Sequence, residues 1–140
     1  MPLLDLDDPK HARADEKLRE EIAVWLTTVT SDGQPQSTPV WFRWDGDTFL
    51  IYSQPNRPKL RNIAADPKVS LHLVGDTEGE DIITFEGTAA LDPFAPPADQ
   101  LDGYMEKYEY LVERFGWTQS DMARDYSVAI RVTPTRVRIV

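Results

Sequence analysis

Three cations, Arg57, Lys59 and Arg61, stand at alternate positions in the segment Ser53-Gln-Pro-Asn-Arg-Pro-Lys-Leu-Arg-Asn62. Pro58 suits the first position of a helix, where its missing N–H costs nothing. A helix start presents free N–H groups and a partial positive charge. Three cations added there make a phosphate site, to which Ser53 can donate a hydroxyl while Asn62 supports the loop. The same charges also fit a solvated basic helix face offset by nearby acids. The cluster reverses the sign of a chain that carries 24 acids against 15 bases, a net charge of −9.

A second segment, Gln36-Ser-Thr-Pro-Val-Trp-Phe42, puts a proline in the middle of an apparent strand. Proline cannot donate to a ladder, so Pro39 implies an edge or a bulge with backbone groups left free. A flat heterocycle could use those groups, with Ser37, Thr38 and the backbone from Pro39 to Trp41 beside the ring. Trp41 and Trp44 are as readily core or interface aromatics.

Other residues carry weaker signals. His72 alternates with Leu71 and Leu73, has no partner at ligand spacing, and fits a hydrogen-bonded sheet residue. His11 reads as solvent-exposed. Tyr104 and Tyr108 share a helix face and read as core packing. Asp76, Glu78, Glu80 and Asp81 lack the spacing of a calcium loop and read as a solvated acidic loop. Arg114-Phe-Gly-Trp117 exposes an aromatic that could cap a ligand pocket or a partner subunit. No catalytic side chain and no metal site is indicated. Glycine-rich dinucleotide and P-loop motifs, the zinc-protease motif and the nucleophile elbow are all missing.

Composition narrows the classes further. The 140 residues predict one domain, and 41% hydrophobic content can fill its core. With no cysteine, disulfides, zinc–thiolate sites, iron–sulfur clusters and thiol nucleophiles are excluded. The acidic balance argues against nucleic acid or anionic membrane as a partner. No apolar run reaches membrane-spanning length and no secretory leader is evident, so a cytoplasmic location is expected.

The elements that must position these residues follow from periodicity and turn chemistry. Residues 1–14 read as a mobile or docked arm, and 15–140 as the folded domain. Asp15 is expected to cap a helix from Glu16 to Ala23. Strands are expected at Val24–Thr30 and Gln36–Trp44, around an Asp32-Gly33 turn, and at Thr48–Ser53. A short helix spans Pro58–Ala65 and stops at Asp66-Pro67. Strands follow at Lys68–Val74 and Ile82–Leu91, where Gly87 suggests a bulge or a close backbone approach. Residues 98–115 read as a helix, and Thr118 caps a shorter one to about Arg124. A last strand starts at Tyr126 and is expected to break at Pro134. Six strands with hairpin turns predict a mainly β, α+β fold: a small antiparallel barrel with flanking helices.

The series Thr28-x-x-x-Asp-Gly-x-Pro-Gln-x-Thr-Pro-Val-Trp-Phe42, Asp45-Gly-Asp, Arg57-Pro-Lys-Leu-Arg-Asn-Ile63 and Asp66-Pro-Lys-Val-Ser-Leu71 resembles the pyridoxamine-phosphate-oxidase-like split barrels. It is similar to their actinobacterial branch that uses the deazaflavin coenzyme F420. Glu86-Gly-Thr-Ala89 and the stretch from Tyr126 to Val140 also fit, so the resemblance spans about residues 15–140. It implies a six-stranded split β-barrel that forms a homodimer, with cofactor at the subunit interface. It assigns the phosphate to Arg57, Lys59, Leu60, Arg61 and Asn62, with Ser53 adjacent, and the ring to Gln36, Ser37, Thr38, Pro39, Val40 and Trp41. Arg57 or Arg61 would meet the coenzyme's polyglutamate tail. The implied activity is hydride transfer between the deazaflavin and a small electron-poor substrate, with a tyrosine or water as proton donor. The alternatives on the same fold are an FMN-dependent oxidase or flavin reductase, and a non-catalytic F420 carrier. Heme-using relatives rely on a C-terminal histidine that this chain lacks, so heme is discounted.

Overall fold

The structure is a computed structural model that describes residues 2–75, 78–79 and 81–140. Four α-helices and six strands follow one another as α1 (Pro9–Glu20), β1 (Ala23–Val29), β2 (Pro35–Trp44), β3 (Phe49–Ser53), α2 (Pro58–Ala65), β4 (Lys68–Leu73), β5 (Ile83–Leu91), α3 (Tyr104–Arg114), α4 (Gln119–Asp125) and β6 (Val128–Ile139). The strands close in the order β1-β2-β3-β6-β5-β4. All six pairings are antiparallel, which is the mainly β barrel with flanking helices that the sequence predicts.

The barrel is split along β2. From Pro35 to Trp41 this strand pairs with β1, and from Phe42 to Trp44 with β3. Among the described residues, the edge of its first half that faces away from β1 therefore has no strand beside it. Pro39, opposite Trp25, sits in that half and needs no N–H on the open side.

Two apolar clusters flank the sheet. Leu18, Leu26, Phe42, Trp44, Phe49, Phe85 and Ile130 fill the barrel interior. Leu50, Tyr52, Tyr104, Tyr108, Val112, Met122 and Ala129 form an outer layer between β3, β6 and the helices α3 and α4. Every residue of β3 is buried, because one face meets the interior and the other meets this helical layer. Tyr104 and Tyr108 pack there as expected from their shared face.

Several elements depart from the sequence expectation. Helix α1 starts at Pro9 rather than Glu16 and stops at Glu20 rather than Ala23. Asp8 caps it by accepting the Lys10 N–H at 2.9 Å, and Pro9 stands at its first position, so an aspartate–proline start signal lay inside the presumed arm. Leu4 docks into the barrel core. His11 is half-buried and accepts the Asp5 N–H through Nδ1 at 2.9 Å, so it is not simply solvated. The helix expected over 98–115 is broken: a 3-10 turn covers Ala98–Gln100, and α3 begins after Gly103, whose φ is +81°. Phe115, beyond its end, is exposed.

Strand β6 runs straight through Pro134. The register with β5 shifts between Glu86 and Gly87, which lets Pro134 lie opposite Gly87. A Cβ on Gly87 would sit 2.6 Å from the Thr133 carbonyl oxygen, so this is the close approach expected of that glycine. In the acidic loop, Asp76 and Glu80 lie outside the described residues, while Asp81 is not simply solvated. Its carboxylate bridges Arg13, at 3.0 Å, and Lys17, tying the loop to α1.

Candidate functional site

Beside the open half of β2 lies a cleft of about 290 Å³. Its walls come from β2 (Pro39, Val40, Trp41), the end of β3 (Tyr52, Ser53), the turn into α2 (Gln54, Arg57, Lys59) and the helical layer (Tyr104, Trp117, Met122, Tyr126). The prolines around Arg57 shape this corner. Pro58 starts α2 at its first position, with Arg57 as the extended cap residue, and Asn56 adopts a positive φ of 63° to turn the chain.

The corner is cationic. Arg57 donates to the Gln54 side-chain oxygen. Lys59 is half-buried, and burial, with Arg57 beside it, pulls its ammonium below the usual lysine value. Neither residue forms an ion pair with a carboxylate among the described residues. Ser53 is 1% exposed and donates its hydroxyl to the Gln54 carbonyl at 2.8 Å. Opposite the cations the wall is aromatic. Trp41 stacks on Tyr108 with ring centroids 4.4 Å apart and planes 3° from parallel. Trp117 follows the turn at Gly116 and stays 41% exposed at the cleft. The Tyr104 hydroxyl is buried without a hydrogen-bond partner among the described residues, and burial raises its pKa well above the ordinary tyrosine value.

The residues singled out from the sequence divide into two groups. Pro39, Val40, Trp41, Ser53, Arg57 and Lys59 line the cleft. Gln36, Ser37, Thr38, Leu60, Arg61 and Asn62 do not. Asn62 is 8% exposed, and its amide donates to Thr28 Oγ1 and to Gln36 Oε1, each at 2.9 Å, pinning α2 onto β1 and β2. The Ser37 hydroxyl pairs with that of Thr27 at 2.7 Å. Arg61 is exposed and Leu60 packs on the barrel core. Tyr52, Met122 and Tyr126 were not anticipated in the cleft. The two tyrosines had a sequence signal, an aromatic beside a strand end, but their meeting depends on β3 pairing with β6.

Comparison with known proteins agrees with this fold. The sequence profile of the pyridoxamine 5'-phosphate oxidase family matches residues 11–140. No curated protein matches the sequence. Similar solved structures include a conserved hypothetical protein of Mycobacterium tuberculosis, with a TM-score of 0.71, 23% identity, and 91% of this chain and 82% of that one covered. An F420 reductase gives a TM-score of 0.63 at 27% identity, covering 89% of this chain and 94% of that one. HutZ, the heme storage protein of Vibrio cholerae, gives 0.64 at 18% identity, covering 91% and 92%. Six antiparallel strands, a β2 shared between two neighbours and a profile match over nearly the whole chain converge, and the chain belongs to the pyridoxamine 5'-phosphate oxidase family.

Proposed function

We propose that the protein is an F420-dependent oxidoreductase. The observation that carries this is the pairing, in one cleft, of two cations lacking a carboxylate partner among the described residues with an aromatic wall beside an open strand edge. The resemblance to an F420 reductase over most of both chains supports the choice of cofactor.

The residues present fit a phosphorylated ring system. Lys59 is an ammonium partly withdrawn from water with no acid among the described residues to balance it, a charge that a phosphate would supply. Arg57 adds a planar fork suited to phosphate oxygens. The open edge of β2 around Pro39 to Trp41 offers backbone groups to the edge of a heterocycle. When bound, the deazaflavin supplies hydride transfer to an electron-poor acceptor. Trp41, Trp117 and Tyr126 narrow the cleft and exclude water from a flat ligand. In this reading Arg61 and Asn62 act differently: Arg61 reaches a ligand tail from outside the cleft, and Asn62 fixes the backbone from which Lys59 projects. A second copy of the chain would close the open side, and sedimentation is expected to report a homodimer.

The test is a titration of purified protein with F420 and FMN side by side. F420 is expected to bind with a Kd of about 1 μM or tighter, and FMN more weakly. Protein that emerges yellow, with stoichiometric FMN, from a host lacking the deazaflavin would overturn the cofactor choice. Binding of F420 without turnover across enones, quinones and nitro compounds would make the protein a carrier instead.

A further inference from the structure

Tyr104 also lines a second, open cavity of about 370 Å³ between α1, the end of β2 and the start of α3. Its charged lining residues are Arg19, Arg43, Asp102 and Lys107. Arg19 is already paired: its guanidinium meets the Asp15 carboxylate at 3.0 Å, and Asp15 also accepts the Trp44 indole N–H at 2.8 Å. The Arg43 side chain makes no hydrogen bond or ion pair among the described residues. Lys107 Nζ donates to the Phe42 carbonyl at 3.2 Å and lies 3.8 Å from the Phe42 ring centroid and 5.2 Å from that of Tyr108. No carboxylate comes within ion-pair distance of it among the described residues.

Counting the lining residues alone, positive charge exceeds negative. Arg43 and Lys107, neither in an ion pair among the described residues, face the exposed lining carboxylate Asp102, and Glu21 acts on Lys107 from outside the lining. A neutral carbonyl and two ring faces only partly replace water around an ammonium. Burial pulls the Lys107 pKa down to about 8, against the opposing pull of Glu21. An oxyanion held between Lys107 and the Arg43 fork would complete both charges.

We infer that this cavity is a phosphate-binding site, distinct from the cleft at Arg57 and Lys59, whose ligand is held by Lys107 and Arg43. It takes inorganic phosphate or a small phosphate monoester. The inference does not depend on which cofactor the main cleft holds.

The test must silence the main cleft, because phosphate will also bind there. Isothermal titration calorimetry with inorganic phosphate is therefore run on the full chain carrying Arg57→Ala and Lys59→Ala. One saturable site per chain is expected. Adding Lys107→Met or Arg43→Gln should weaken it about tenfold each, the loss of one charge-assisted contact. Circular dichroism checks the fold of each variant, and Arg43→Gln, at a half-exposed position, keeps the test decisive if Lys107→Met fails to fold. A glycerol phosphate titration extends the site to monoesters, while succinate asks whether a carboxylate suffices. No saturable phosphate binding, phosphate binding indifferent to both substitutions, or succinate binding without phosphate binding would each overturn the inference.

Discussion

The molecule has two basic corners, and they are built in opposite ways. Arg57 and Lys59 lie two residues apart on one proline-shaped turn. Arg19, Arg43 and Lys107 come from α1, β2 and α3 and meet only because the barrel brings those elements together. Local spacing alone creates the first corner, whereas long-range pairing creates the second. Each is also anchored to the sheet by one buried polar side chain: Asn62 in the first, Tyr108 in the second. The Asn62 amide holds α2 against β1 and β2. The Tyr108 hydroxyl donates to the Ile22 carbonyl at 2.6 Å and accepts the Phe42 N–H at 2.9 Å. The corner with local origin needs an anchor mainly to aim it, while the assembled corner needs one to exist.

That contrast is sharpest at Tyr108, where the largest effect is expected. Tyr108→Phe keeps the ring that stacks on Trp41 but strands the buried Phe42 N–H and loses the bond to Ile22. Leaving a buried donor unmade costs about 1–3 kcal/mol, and the second lost bond brings the expected destabilisation to about 2–4 kcal/mol. Denaturant melts measure it. Phosphate binding at the Lys107 cavity should fall with it, and unchanged stability would mean that α3 is held by apolar packing alone. Asn62→Ala should cost less, about 1–3 kcal/mol, because Thr28 Oγ1 is left buried without its donor while Gln36 remains free to turn to water. Its binding signature should differ as well: F420 affinity drops while phosphate affinity at the Lys107 cavity is unchanged.

The cations of the first corner test the same contrast through ligand affinity. Arg57→Ala and Lys59→Ala should each weaken cofactor binding by about 1–3 kcal/mol, the scale of a charge-assisted hydrogen bond. Neither should lower stability, since Arg57 is exposed and Lys59 sheds a desolvation cost when it is truncated. Fluorescence titration of each variant checks this. Equal affinity in both would remove the phosphate from this corner. Arg61→Ala, outside the cleft, should have a smaller effect than either.

The same division explains what could be read from the sequence. Helix α2 was predicted residue for residue, because Pro58 starts it and Asp66-Pro67 ends it through purely local chemistry. Thr118 was recognised as a cap, and its hydroxyl accepts the Asp121 N–H at 3.0 Å. The barrel followed from alternation and turns. Where tertiary partners decide, local rules failed. Pro134 continues a strand only because β5 shifts register opposite it at Gly87. Asn62, which local chemistry reads as a loop support, is committed to Thr28 and Gln36, residues 34 and 26 positions away. The cavity around Lys107 had no sequence signal, since Lys107 reads as one more polar position on an amphipathic helix until the fold brings it and Arg43 to one cavity.

The smallest expected effect separates the corners by pH. Lys107 titrates near 8 in the folded chain, below the value of about 10.4 for a lysine in water. The folded state thus gives up the proton first. Between those two values the unfolded chain binds more protons, so this group makes stability rise with pH, and below about pH 8 its full cost is present. Its charged neighbours are Arg19 and Asp15 on α1, Arg43 on β2, Asp102 before α3 and Glu21. Since Lys107 is only half-buried, the cost is discounted from the full conversion to about 1 kcal/mol. Lys107→Met removes the charge and keeps the apolar stem, so it should be more stable than the parent by about that amount at pH 7, with the gap closing toward pH 10. Denaturant melts of both proteins across that range measure it. Saturating phosphate should close the gap at pH 7 as well, because the ligand stabilises the parent and has little hold on the variant. A gap that survives both high pH and phosphate would mean that the methionine gains by packing alone, leaving the second corner without an electrostatic character of its own.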